Sequence, residues 1–186
     1  MLIGSLIVLG LIIVFLLWLV STRNSFVKIK NQVEEAFSTM DVYLKKRYDL
    51  IPNLVETVKG YASHESETFQ KVTAARTAAM NAGSIDEKIA NENALSGTLK
   101  SLFAVAEAYP QLQANTNFLD LQNQLKMIED DIANARKYYN ANVREMNTKV
   151  EMFPSNIVAG MFNFKKQPFF EVGNEAEREN VQVKFN

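Results

Sequence analysis

The stretch that decides the fold, residues 26–47, reads FVKIKNQVEEAFSTMDVYLKKR. Apolar side chains recur in it at steps of three to four and seven residues, at Phe26, Ile29, Val33, Phe37, Met40 and Leu44. Because an α-helix turns once every ~3.6 residues, these positions lie on one face of a helix. The stretch therefore predicts a long helix that packs against a core or a partner.

An apolar run precedes this helix at residues 2–20, interrupted only by Gly4, Ser5 and Gly10. Its 19 residues span ~28 Å at ~1.5 Å per residue, close to the ~30 Å hydrocarbon core of a bilayer. No Lys or Arg precedes the run, and it ends in a poor cleavage site. We therefore expect an uncleaved anchor that binds the lipid bilayer, rather than a signal peptide.

The charges that flank the run predict its orientation. Arg23, Lys28 and Lys30 follow it, diluted by Glu34 and Glu35, and only the α-amino group precedes it. Basic flanks stay in the cytoplasm. We expect a single-pass protein of the cell (inner) membrane, with its N-terminus out and its body cytoplasmic.

Pro52 is the first helix breaker after the membrane run. It lacks a backbone N–H and disfavours the helical conformation at the residue before it. We predict a turn at residues 48–51, with a kinked continuous helix as the alternative.

Three further helical stripes follow, from Leu54 to Ala79, from Ile85 to Ala106 and from Phe118 to Val150. Short links between helices favour antiparallel neighbours. We predict an all-α protein in which the transmembrane helix continues into a long antiparallel up-down four-helix bundle, with an irregular C-terminal tail. The predicted parts are an anchor at 1–22, the bundle at 23–150 and a Phe-rich segment with its tail at 151–186.

Local signals mark the ends of these helices. Ser84 and Glu87 have the spacing of a capping box at the start of the third stripe. The pair Tyr109-Pro110 ends or interrupts that stripe, and Asn115 and Asn117 are candidate caps before the fourth.

The C-terminal segment concentrates aromatic and basic side chains that are candidate interaction residues: Phe162, Phe164, Lys165, Lys166, Phe169 and Phe170. Such a mixture suits a membrane interface. The alternative, which we favour slightly, is that the rings fold back as a satellite core. Residues 181–185 alternate in polarity, which is typical of a short strand, although such termini are more often mobile.

The chain resembles the LemA family of bacterial membrane proteins. The resemblance covers nearly the whole chain and is strongest at residues 41–56, DVYLKKRYDLIPNLVE. Supporting stretches are 109–118, 135–140 and the terminal Pro168-Phe169-Phe170. It implies a single-pass membrane protein with a long antiparallel helical bundle. The family has no established enzymatic activity and has been linked to signalling and to the cell envelope, so no active-site residue is carried over.

The densest charge cluster is Lys45-Lys46-Arg47. It predicts either a docking surface for an acidic partner or a solvated helix end. A metal-dependent enzyme would have to use His64, the only histidine, with bundle carboxylates such as Glu92. The chain has no Cys, no Glu-x-x-His pair and no phosphate-binding loop, so we predict no catalytic residue, metal or cofactor.

The composition reduces the number of functional classes that fit the chain. With 20 Lys and Arg against 21 Asp and Glu, the net charge is -1, which argues against a nucleic-acid partner. Heptad-like stripes can also pack between chains, as in coiled coils. The sequence predicts a non-catalytic, membrane-anchored scaffold or assembly subunit of the cell envelope that forms homo-oligomers or docks other envelope or membrane proteins. The alternatives are a signalling component that responds through its anchor and, last, the His64 enzyme.

Overall fold

The computed structural model describes residues 2–171, and within them every regular element is a helix. The helices are α1 (Leu2–Lys59), α2 (Ser66–Met80), α3 (Ile85–Glu107), α4 (Pro110–Gln113), α5 (Thr116–Glu151) and α6 (Ser155–Phe162). The predicted all-α class is confirmed, since a long apolar N-terminal helix leads into helices that pack as a bundle. The predicted strand at 181–185 lies outside the described residues.

The first helix is unbroken and passes through Pro52. The predicted turn at residues 48–51 is therefore wrong, and the alternative of a continuous helix is the one observed. Pro52 cannot donate to the carbonyl of Tyr48, four residues earlier. Arg76 of α2 replaces the missing donor, because its Nε lies 2.6 Å from the Tyr48 carbonyl oxygen. This tertiary contact offsets part of the cost of a proline inside the helix.

The chain reverses instead at residues 60–65, after the end of α1. Gly60 and Tyr61 donate there to the carbonyls of Glu56 and Val58, at 3.2 and 3.0 Å. The predicted second stripe is thus divided between α1 and α2. Since the bond from Arg76 to Tyr48 joins positions at similar distances from this turn, α1 and α2 run antiparallel.

The predicted caps at Ser84 and Asn115 are present, whereas Asn117, the other candidate, lies inside α5. The Ser84 hydroxyl accepts from the Glu87 N–H at 3.2 Å, and the Glu87 carboxylate accepts from the Gly83 N–H at 2.9 Å. The capping box at the start of α3 is confirmed, with its returning bond made one residue earlier than in the standard motif. The Asn115 side chain accepts from the Phe118 N–H at 3.0 Å and caps α5.

Two compact units divide the chain, and both α1 and α5 contribute to each. The first unit contains residues 2–40 and 135–169. The second contains residues 41–134 and, among the described residues, 170–171. The core of the second unit is mainly aliphatic and includes Leu44, Ile51, Leu54, Val58, Val72, Leu95, Leu102, Leu112, Leu125 and Ile132.

The first unit has a mixed aliphatic and aromatic core, which includes Phe26, Ile29, Val33, Met40, Tyr139, Val143, Met146 and Val158. The segment after α6 is tied to this unit by polar bonds. The Tyr139 hydroxyl donates to the Pro168 carbonyl at 3.0 Å. The Asn147 amide both donates to and accepts from the Gln167 backbone, at 2.9 and 2.8 Å.

The apolar run lies at the start of α1. Within residues 2–171, α1 is the one helix long and apolar enough to cross a membrane, and none of its most apolar window is buried by the protein. A core helix of a soluble protein would be covered by its neighbours. The exposure of residues 2–17 therefore fits a helix whose surroundings are lipid.

Candidate functional site

Arg47 lies in the interior of the second unit, with 1% of its side chain exposed. Its Nη1 donates to Glu129 at 2.7 Å and to the Ser96 hydroxyl at 3.3 Å, and its Nη2 donates to Glu92. Glu92 and Ser96 belong to α3, whereas Glu129 belongs to α5. One guanidinium on α1 is thus bonded to two other helices, which is the pairing that a buried charge requires.

Tyr48, the next residue, extends the network. Its hydroxyl donates to the second oxygen of Glu92, whose side chain is 2% exposed. Its backbone carbonyl accepts from Arg76 of α2. Arg47, Tyr48, Glu92, Ser96 and Glu129 form what we call the buried ion cluster. Since one buried guanidinium is bonded to carboxylates on two different helices, the cluster favours one alignment of α1, α3 and α5 along one another.

The cluster shifts the pKa values of two of its members, Arg47 and Tyr48. Burial alone would lower the pKa of Arg47, but the carboxylates of Glu92 and Glu129 outweigh it and raise that pKa above its ordinary value. Burial, followed by the hydrogen bond to Glu92, raises the pKa of Tyr48 well above its ordinary value. Arg47 therefore stays charged and Tyr48 stays neutral across the physiological pH range, so neither exchanges protons there.

The raised pKa of Tyr48 predicts a pH-dependent contribution to stability. Above about pH 10 a tyrosine ionises in the unfolded chain, while the buried hydroxyl stays neutral. The stabilisation that Tyr48 provides is then complete below about pH 9 and is lost as the pH rises. We expect the free energy of unfolding of the wild type to fall faster than that of Tyr48→Phe above about pH 10, as measured by urea unfolding in detergent.

The control for this prediction is Tyr138→Phe, at a tyrosine of the first unit that is 51% exposed. The Tyr138→Phe substitution should change the alkaline profile of the wild type by less than Tyr48→Phe does. Parallel profiles for Tyr48→Phe and the wild type would contradict the assignment of the shift to the buried hydroxyl.

The arrangement around the cluster offers little for metal or acid–base chemistry. No group of three or more His, Asp or Glu side chains within residues 2–171 is placed to hold a metal ion. His64 lies exposed in the 60–65 turn. Glu92, which the His64 alternative would use as a ligand, is already bonded to Arg47 and Tyr48.

Only two of the three residues of the predicted basic surface are exposed in the structure. Lys45 and Lys46 are exposed. The Lys45 ammonium lies 4.0 Å from a carboxylate oxygen of Asp49, and the Lys46 ammonium lies 5.2 Å from the centre of the Tyr43 ring. Arg47 is buried, so it does not belong to this surface. Docking of an acidic partner at Lys45 and Lys46 stays a prediction.

The structure gives the C-terminal candidates different degrees of burial, with Phe170 buried, Phe164 half-buried and the others exposed. Phe164 stacks on Phe26 with ring centres 4.7 Å apart, and Phe170 is 1% exposed. Phe162 and Phe169 are 39% and 36% exposed. The two lysines, Lys165 and Lys166, are exposed, and Lys166 lies 2.6 Å from Glu151.

Sequence reasoning missed the partners of Arg47, but one signal was available. Arg47 lies three residues after Leu44 and seven after Met40, which places it on the apolar stripe of α1. A charged residue at such a position needs a buried partner of opposite sign. The identity of that partner depends on how α3 and α5 pack, which the periodicity alone does not show.

This fold and this site define a class: membrane-associated helical-bundle proteins whose buried charges are used in packing. A family model described as the LemA family matches residues 36–185, and the chain belongs to that family. The predicted resemblance is confirmed.

Individual relatives agree with this assignment. Protein LemA of Metamycoplasma hominis is 26% identical over 169 residues, which cover 88% of this chain and 75% of that protein. Magnetosome protein MamQ 2 of Paramagnetospirillum magneticum is 24% identical, and Magnetosome protein MamQ of Magnetospirillum gryphiswaldense is 23% identical. Each of these two alignments covers 86% of this chain and 68% of the relative. None of these names is that of an enzyme. With the apolar helix, they indicate a membrane-associated, non-catalytic protein.

Proposed function

We propose that this protein is a membrane-anchored helical scaffold or assembly subunit of the cell envelope. The observation that carries the proposal is the continuity of α1 from Leu2 to Lys59. This one helix contains the apolar run and also Arg47 and Tyr48, two of the residues of the buried ion cluster. An uninterrupted helix of this kind is a connection that a membrane-anchored scaffold could use between its anchor and the rest of the chain.

The buried ion cluster supports a structural role. Arg47 and Glu92 are bonded to each other inside the second unit, where they hold helices instead of facing a substrate. The names of the relatives assign those proteins to a family and to the magnetosome, not to a reaction. Both points favour a non-catalytic function for this chain.

The proposed partners follow from the exposed side chains. The bilayer would contact residues 2–20, and Arg23, Lys28 and Lys30, all exposed, favour a cytoplasmic body with the N-terminus outside. Further copies of the chain, or other envelope or membrane proteins, would meet Lys45 and Lys46.

The proposal is tested by the mass of the full chain in detergent, measured by light scattering after gel filtration. We expect a discrete assembly heavier than the 21.0 kDa monomer. In the double variant Lys45→Glu with Lys46→Glu, the assembly or its chemical cross-links should be lost while the thermal unfolding temperature is unchanged. Reversing two exposed charges removes an attractive contact and creates a repulsive one.

A matched control reverses two exposed lysines of α5, Lys126→Glu with Lys137→Glu, and changes the net charge equally. It should keep the wild-type mass. A monomeric wild type would contradict self-assembly, and equal loss in both double variants would point to a general effect of net charge instead of a docking surface.

The second candidate is a signalling component that responds through its anchor. The continuity of α1 favours it as well, because a rotation of the membrane segment would be carried along a single helix to Arg47. We rank it below the scaffold, because the bonds of the buried ion cluster hold α1, α3 and α5 in one alignment.

A further inference from the structure

The α6 helix and the residues just before it present an uncharged apolar face to the surroundings. Residues 152–164 include no Asp, Glu, Lys or Arg. On one side of α6, Val158 and Ala159 are buried. Ile157 and Met161 lie on the other side of α6, and Met152 and Phe153 lie just before the helix; all four side chains have exposed fractions of 51 to 78%. Ile157 and Met161 are four residues apart, so they share one face of the helix.

Contacts within the first unit place this face beside the membrane exit of α1. The Arg23 guanidinium lies 5.2 Å from the centre of the Phe162 ring. Phe26 stacks on Phe164 at 4.7 Å, and the Lys149 ammonium donates to the Ser25 hydroxyl. The residues on both sides of α6 are thus bonded to residues 23–26 of α1.

The distance from the apolar run follows from helix geometry. Residues 23–26 come three to six positions after Val20, which is ~5–9 Å along the helix at ~1.5 Å per residue. The polar layer of a bilayer extends ~5–8 Å beyond each side of its hydrocarbon core. The two ends of the segment that contains α6 are therefore held at the depth of the lipid headgroups when the apolar run crosses the core.

We propose that α6 is a second membrane contact: it lies in the lipid interface, with Phe153, Ile157 and Met161 inserted at the boundary between headgroups and acyl chains. Burial of an apolar helix face at this depth is favourable, and it needs no unpaired backbone group because the segment is helical. A bilayer fits this face better than a second copy of the chain does, since the face continues directly from the membrane segment.

The charges next to the face agree with a lipid surface. Arg23, Lys165 and Lys166 are exposed at its margin, where ammonium and guanidinium groups meet anionic headgroups. The one acidic neighbour along the chain, Glu151, is already paired with Lys166 at 2.6 Å. The inference requires that residues 2–20 cross the bilayer, but it does not depend on the scaffold role.

The test measures the depth of α6 in the membrane. Because the chain has no native Cys, Ile157→Cys and Met161→Cys can each carry a single environment-sensitive fluorophore. The full chain is reconstituted in vesicles of phosphatidylcholine and phosphatidylglycerol, with or without lipids that carry a nitroxide quencher near the headgroup. We expect blue-shifted emission and roughly twofold quenching at both positions.

The control is Ser38→Cys, an exposed position of the same unit that lies 18 residues after Val20, or ~27 Å along α1. It should show water-like emission and no quenching. Water-like emission at 157 and 161 would overturn the proposal. So would blue-shifted emission without lipid quenching but with energy transfer between copies, because the face would then be covered by protein.

A second variant distinguishes insertion of the apolar side chains into the bilayer from a position that is only close to the bilayer. Phe153→Ser with Met161→Ser removes two exposed apolar side chains and should leave the helix content unchanged. The fluorophore at position 157 should then lose most of its quenching. Undiminished quenching in this variant would overturn the role assigned to the apolar face.

Discussion

Replacing Arg47 with methionine is expected to lower the free energy of unfolding by about 3–5 kcal/mol. Methionine fills a similar volume but leaves Glu92 as a buried carboxylate without its counter-ion, and Glu92 is 2% exposed. Glu129 is 39% exposed and can turn toward water, so most of the loss should come from Glu92. Urea unfolding in detergent, followed by circular dichroism, measures the change.

The double variant Arg47→Met with Glu92→Gln should recover a large part of this loss, because the glutamine is uncharged and its oxygen can still accept from Tyr48. Lys45→Met, two residues earlier on the exposed face of α1, is the matched control and should change stability by less than about 0.5 kcal/mol. An equal loss in Lys45→Met and Arg47→Met would contradict the role given to the buried ion cluster.

Replacing Arg76 with methionine should cost about 1–3 kcal/mol, because it leaves the Tyr48 carbonyl without the donor that substitutes for the Pro52 N–H. The effect depends on the proline. In a Pro52→Ala background the alanine N–H can donate to Tyr48, so the same Arg76 substitution should cost clearly less. The thermodynamic cycle of the two substitutions should therefore show a coupling of about 1 kcal/mol or more.

The control is Arg144→Met on the exposed face of α5, which measures the general effect on stability of replacing an arginine with methionine. It should show no coupling to Pro52. If Arg76→Met costs the same with proline and with alanine at position 52, then the carbonyl is satisfied in another way and the explanation for the unbroken helix fails.

Features that depend on nearby residues were predictable from the sequence. The membrane run, the cap at Ser84, the interruption at Tyr109-Pro110 and the cap at Asn115 each depend on residues within a few positions of one another. The structure confirms the interruption, since α3 ends at Glu107, and it confirms the cap of α5 at Asn115; the short α4 that begins at Pro110 was not predicted.

Features that depend on residues far apart in the chain were not predictable from the sequence. The path of α1 through Pro52 needs a hydrogen-bond donor from Arg76. Helix propensities describe each residue in its local context, so they do not include a donor from a distant helix. The burial of Arg47 needs Glu92 and Glu129, whose alignment with α1 is set by the packing of α3 and α5. Likewise, Phe164 and Phe162 differ in exposure although they are only two residues apart, because Phe26 is placed to stack on one of the rings.

The bond between Arg76 and the Tyr48 carbonyl also sets an order of events during synthesis. The membrane segment and the first turns beyond it form all of their helical bonds from residues that leave the ribosome together. The turn that contains Pro52 is different, since its missing donor is supplied by a residue that emerges 28 positions after Tyr48. This part of α1 completes its hydrogen bonds only once α2 has been made and has folded back. The anchor can therefore enter the bilayer before the helix that it begins is finished.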